Sequence, residues 1–165
     1  MATEIPKEVS VKSPTGKIDF MGRRRARALV MQGLYQYQLT QASADDIRLH
    51  LMDSPNYARC DEAYFDALWR GVSSRYESLR ERFAPYVAAE RATQALSPVE
   101  TAILILATWE LSERPDIPYR SVLNEAIDLA KVYGGTDGHK FVNGVLDKLA
   151  AQWRADEIRA LAGKQ

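Results

Sequence analysis

Between Glu100 and Glu110 the chain reads T-A-I-L-I-L-A-T-W, with no polar side that a helix could turn to water. The four residues at its start, Ser97-Pro98-Val99-Glu100, form a strong helix-initiation signal. Ser97 can cap, Pro98 suits the first helical position, and Glu100 completes a capping box. A helix that is apolar on all sides must be surrounded by other elements, so this segment is expected at the centre of the core. Its nine uncharged residues fall far short of the ~20 needed to span a bilayer.

The flanking sequence supplies helices to surround it. From about Arg23 to Gln41, Ala26, Leu29, Val30, Gly33 and Tyr37 share one helical face, with Arg24, Arg27, Met31 and Tyr35 opposite. Ser43, Asp45 and Asp46 start a second helix, whose Ile47, Leu51 and neighbouring Leu49 are expected to supply the apolar contacts. From about Glu62 to Phe83 a third stripe runs through Phe65, Leu68, Trp69, Val72, Tyr76, Leu79 and Phe83. Pro85 is expected to end this helix or open a further turn. No segment alternates as a strand would. The pattern predicts an all-α protein of about six or seven helices in two small packed bundles, about 23–93 and 94–158. Residues 1–22, with Pro6, Pro14, Gly16 and Gly22, read as a mobile tail, and 159–165 as a short C-terminal one.

The stretch Tyr119 to Leu149 reads as two helices joined by a Gly-rich corner. Gly134 and Gly135 offer the permissive backbone of a helix C-terminus, and Thr136 or Asp137 can cap the helix that follows. Val142, Val145, Leu146 and Leu149 give that helix its buried face. Asp137, His139, Lys140, Phe141 and Asn143 are not demanded by packing, which marks the corner as a candidate working surface.

The chain of 165 residues has zero net charge, so no global field recruits a polyanion. The charge is unevenly placed, however: residues 1–42 carry a net of +4 and the remainder a net of −4. Arg23, Arg24, Arg25 and Arg27 concentrate the positive part at a helix start, where the helix dipole favours the opposite sign. A local rule broken without structural benefit points to function, and arginine suits phosphate and stacking on bases. Tyr35, on the same face, could stack on a base or fill a helix interface. Phe141 reads by default as a core residue.

Reactive groups are scarce. His50 and His139 have no metal-ligand spacing with Cys60, and no phosphate-binding glycine motif is present. Asp137 and His139 could pair as acid and base, but a cap beside an exposed histidine is the commoner arrangement. No catalytic residue, cofactor or metal is expected. A lone Cys60 and the absence of an apolar leader fit a soluble protein of a reducing cytoplasm.

Three segments together resemble the NusB family of bacterial transcription antitermination factors. They are R-R-R-A-R-A-L-V-M-Q-G-L-Y-Q, L-S-P-V-E-T-A-I-L-I-L-A-T-W-E-L, and D-I-P-Y-R-S-V-L-N-E-A-I-D-L-A-K-V-Y-G-G-T-D-G-H-K-F-V-N-G-V-L-D-K-L-A. The resemblance covers about residues 23–150. It implies an all-helical fold without catalytic activity that pairs with the ribosomal small-subunit protein called NusE in this role. The pair would bind boxA RNA, a single-stranded element of nascent ribosomal RNA transcripts, within an antitermination complex on RNA polymerase. Carried over by position, Arg23, Arg24, Arg25 and Arg27 would contact RNA, and Asp137 and Phe141 would lie at or beside the RNA and partner surface. Tyr35 and Lys140 join this candidate set.

The chain departs from the family pattern at Ile105, where a basic residue is usual, and in its longer N-terminus. Related helical domains precede the catalytic domain of some RNA cytosine methyltransferases, but a chain of this length favours the stand-alone factor. A different class of function is a helical protein–protein adaptor, homodimeric in one form, whose basic helix meets an acidic partner.

Overall fold

The computed structural model describes residues 17–91 and 95–164. Among these it contains eight α-helices, a single 3-10 turn and no strand. The helices are α1 (Phe20–Thr40), α2 (Ala44–Met52), α3 (Glu62–Ser74), α4 (Tyr76–Glu90), α5 (Pro98–Glu113), α6 (Tyr119–Tyr133), α7 (Gly138–Trp153) and α8 (Ala155–Ala162). The turn, Tyr57–Arg59, joins α2 to α3. The all-α expectation is met. Residues 1–16 of the expected tail lie outside the described residues. Helix α1 starts three residues before Arg23, because the Asp19 carboxylate accepts from the Gly22 N–H at 2.8 Å and so caps it.

Helix α5 is the hub. Ser97 Oγ accepts from the Glu100 N–H at 3.1 Å while Glu100 Oε1 accepts from the Ser97 N–H at 3.2 Å, completing the capping box. Every residue from Glu100 to Leu111 is buried. The helix packs against α1, α3 and α4 on the N-terminal side and α6 and α7 on the other. Ile105 is among the fully buried side chains, so no charge at this position could reach the surface without rearrangement.

The long third helix of the sequence reading is two. At Arg75, φ −122° and ψ 23° break the helical path, and α4 restarts at Tyr76. Both halves bury the predicted stripe, which is why periodicity alone did not reveal the break. Pro85 lies inside α4 rather than ending it. The carbonyl it leaves without a helical donor belongs to Glu81, and both residues are exposed, so water can satisfy it. Close packing also sets the α1–α3 crossing: a Cβ on Gly33 would sit 2.7 Å from both Leu51 and Trp69.

The C-terminal end of α5 is closed by a residue from a distant helix junction. Arg154, between α7 and α8, donates from Nε to Leu111 O at 2.7 Å and from Nη2 to Arg114 O at 2.8 Å and Glu110 O at 3.2 Å. Its Nη1 serves Ile117 O at 2.9 Å and Glu157 Oε2 at 2.6 Å. Glu157 Oε1 in turn accepts from the Tyr119 N–H at 2.9 Å, capping α6 where Pro118 cannot. One Arg–Glu pair therefore ties together the end of α5 and the starts of α6 and α8. Cys60, just before α3, is buried, and burial with the nearby Glu62 and Asp61 charges pushes its thiol up to about 12.

Candidate nucleic-acid interface

The first two turns of α1 carry the arginine run, and the structure divides it. Arg24 is exposed, and Arg23 and Arg25 are half-buried. Arg27 is turned inward, only 5% exposed. Its Nε donates to both oxygens of Glu110 at 3.1 Å, and its Nη2 to Glu110 Oε2 at 2.9 Å and Tyr64 Oη at 3.3 Å. The Tyr64 hydroxyl donates to the same carboxylate. Burial alone would lower the Arg27 guanidinium, but the charge and hydrogen bonds of Glu110 outweigh it and hold the group above its ordinary value. Burial and then the Glu110 charge push the Tyr64 phenol up. Arg27 is thus committed to an interior ion pair and is not available to a phosphate in this conformation. This corrects the expectation drawn from its place in the run.

Arg23 stays at the surface of this network. Its guanidinium lies over the Tyr64 ring, 4.7 Å from the centroid, with Nε 4.0 Å from Asp61 Oδ2. Arg24 pairs with two carboxylates of α6, Glu125 at 3.1 Å and Asp128 at 3.0 Å. Arg25 donates to the Arg59 carbonyl at 3.3 Å. Between α1 and α6, Arg24 and Arg25 rim a shallow hollow of ≈ 260 Å³ lined also by Ala28, Leu129, Val132 and Tyr133. Val132 is 72% exposed. Tyr35 lies further along the solvent side of α1 and is itself exposed. The expected face shared by Arg24, Arg27, Met31 and Tyr35 is not one surface, since Met31 is buried as well.

The α6–α7 corner differs in detail from its prediction. Gly134 is extended at φ −85° rather than left-handed, and glycine is required because a Cβ would come within 2.5 Å of the Ala130 carbonyl. The left-handed residue is Asp137, at φ 65°. No side chain caps α7. In that backbone state Asp137 offers its carbonyl to the Lys140 N–H at 3.1 Å, while its carboxylate swings out to Lys140 Nζ at 3.3 Å. Its partner is therefore Lys140 and not His139. Asp137 and Lys140 are both largely exposed, but Phe141 is only 7% exposed. The Arg91 guanidinium covers its ring at 3.9 Å and is held by Glu100 Oε1 at 2.9 Å. Burial would raise the Glu100 carboxyl, but hydrogen bonds from Arg91 and Ser97 outweigh it and keep it below the usual range. Phe141 is a core residue at the edge of the corner, as its default reading had it.

Among the described residues no hydrogen bond or ion pair joins Arg23, Arg24 or Arg25 to the corner. They are related through α5: Gln38 of α1 donates to the Pro98 carbonyl at 2.9 Å, and Glu100, two residues on, stands next to Gly138. Sequence reasoning missed Tyr64, Arg91, Glu110, Glu125 and Asp128. The i,i+3 spacing of Glu125 and Asp128 was the one readable signal, and it indicates only a shared helix face.

The geometry defines an all-helical protein with a divided arginine face beside an exposed polar corner. Among the described residues, no group of three His, Cys, Asp or Glu side chains could hold a metal, and no helix is long and apolar enough to cross a membrane. The NusB family matches residues 24–151, and the chain belongs to it. The transcription antitermination protein NusB of Aromatoleum aromaticum is 50% identical over 138 residues, 84% of this chain and 94% of that protein. The protein of the same name from Paraburkholderia phymatum is 48% identical over 143 residues, 87% of this chain and 97% of that one. Among solved structures, T. maritima NusB superposes with a TM-score of 0.67 at 30% identity, covering 78% of this chain and 89% of the other.

Proposed function

We propose that this chain is a transcription antitermination factor that binds boxA-type single-stranded RNA together with the ribosomal protein acting as NusE, in a complex with RNA polymerase. Membership of the family supports the antitermination role. One observation carries the RNA reading: Arg23, Arg24 and Arg25 gather at the surface of one helix start while Arg27 alone turns inward. The three guanidiniums lie in the second turn of α1, and their planar donor forks suit the phosphates of a polyanion. Tyr35 offers a stacking face, and Asp137 and Lys140 offer hydrogen-bonding groups at the corner. Phe141, under Arg91, contributes by shaping the corner unless Arg91 moves aside.

Replacing Arg23, Arg24 and Arg25 together by Ala is expected to weaken RNA binding and flatten its dependence on salt. Each lost phosphate contact removes ~0.7 from the slope for a single strand, so the triple variant should lose about 2. Arg27 is left in place because its removal would damage the fold. A folded triple variant with unchanged affinity and slope would contradict the reading. An adaptor working through protein contacts alone would show no preference for a boxA-type strand over a scrambled one.

Asp137→Asn separates scaffold from recognition at the corner. Asn tolerates the left-handed backbone better than most residues, and the exposed pair with Lys140 is worth little, so stability should hold within ~0.5 kcal/mol. A base-facing acceptor would lose its charge and gain donors. The expected result is an unchanged melting temperature with altered affinity for the boxA-type strand and a smaller change for a scrambled one. Equal changes on both strands would assign Asp137 to general electrostatics.

A further inference from the structure

The basic face of α1 already holds its own anions. Glu125 and Asp128 stand one turn apart on α6, and Arg24 bridges them, with Nε 3.1 Å from Glu125 Oε2 and Nη2 3.0 Å from Asp128 Oδ2. Within 4.0 Å, Arg23 pairs with Asp61 at 4.0 Å and Lys140 with Asp137 at 3.3 Å. Arg25 donates to the neutral Arg59 carbonyl and, among the described residues, pairs with no carboxylate within 4.0 Å. Glu125 and Asp128 also contribute to the lining of the hollow between α1 and α6, beside Leu129 and Tyr133. Their bonds to Arg24 are at the surface, where such pairs add little to stability, so the fold does not explain two acids on one arginine.

We propose that Glu125 and Asp128 are specificity-determining residues that penalise binding by phosphate alone. This rests on the reading of α1 as an RNA contact. A phosphate that takes Arg24 must displace two carboxylates and then lie near both of them, uncompensated. A strand engaging only through its backbone therefore gains little at Arg24. A strand that also brings base amino or ring N–H donors to the hollow supplies the released carboxylates with partners, since carboxylates accept from such groups. Discrimination then comes from a cost imposed on the wrong partner rather than from added attraction to the right one.

The test is the full chain carrying Glu125→Gln and Asp128→Asn, probed with heparin, a boxA-type strand and a scrambled strand of equal length. Heparin, a sulfated polyanion without bases, should elute the variant at higher salt than the parent. Affinity for the scrambled strand should rise about tenfold, on the scale of two surface pairs removed. The boxA-type strand should gain less, so the ratio between the strands falls. Adding Arg24→Ala should abolish the gain, and melting temperatures control for the fold. Heparin elution at unchanged salt, a gain that survives Arg24→Ala, or an undiminished ratio between the strands overturns the proposal. The RNA reading is judged separately, by whether the parent chain binds the boxA-type strand in a salt-dependent way.

Discussion

Glu110→Ala is expected to cost about 3–5 kcal/mol, a large share of what holds a domain of this size folded. The Glu110 side chain is enclosed, and it alone answers both the Arg27 guanidinium and the Tyr64 hydroxyl. Its loss would strand a buried cation that hydrogen-bonds to no other carboxylate among the described residues. Removing the cation as well should undo part of the damage, since the buried Tyr64 hydroxyl still lacks its acceptor. Arg27→Met with Glu110→Leu fills the site with apolar groups of similar size, and such replacements are often neutral or stabilising. Urea denaturation of the parent, both single variants and the double variant would measure the coupling. If Glu110→Ala shifts the midpoint by less than ~1 kcal/mol equivalent, the pair is wetter than the structure has it.

Arg154→Ala should be nearly as severe, about 3–5 kcal/mol, with a fall in melting temperature of roughly 6–20 °C. The substitution strips donors from four carbonyls at once and frees Glu157 from its partner. Glu110 O and Arg114 O keep backbone donors, from the Arg114 and Ile117 N–H groups, but among the described residues Leu111 O and Ile117 O do not. Each buried carbonyl left without a donor costs about 1–3 kcal/mol, though water entering the gap recovers part of this. Arg154→Lys is the informative companion. An ammonium carries three donors at one point and cannot span groups that the planar guanidinium reaches from three nitrogens. It should keep the charge contact with Glu157 and still lose a substantial part of the stability. A Lys variant as stable as the parent would show that charge, and not the fork of donors, closes the end of α5.

These two arginines mark the limit of what the sequence could disclose. Helix α5 was legible because its evidence is local: a cap, a proline, a capping glutamate and an unbroken apolar run. The buried stripe of α3 and α4 was legible for the same reason, but the break at Arg75 was not, since the apolar residues keep their three- and four-residue spacing across it. Arg27 sits where a helical wheel assigns solvent. Only the arrival of Glu110, 83 positions away in sequence, makes the interior habitable for it. Nothing in a short arginine run distinguishes the member that will be buried from those that will not. The corner shows the same limit on a smaller scale. A glycine pair predicted the turn, but which residue takes the left-handed state depends on how α6 and α7 approach each other, and Asp137 took it.

Cys60 gives the molecule a built-in clock. Thiol reagents attack the thiolate, and a thiol pushed up to about 12 is almost entirely protonated at neutral pH. Its burial denies reagents access as well. In native buffer, alkylation must therefore wait for the segment ahead of α3 to come away from the core. This segment is pinned to α1 by the bond from the Asp61 N–H to the Gly22 carbonyl at 3.0 Å. The rate at which the natural chain takes up a label thus counts openings at the base of the arginine helix, with no engineered probe.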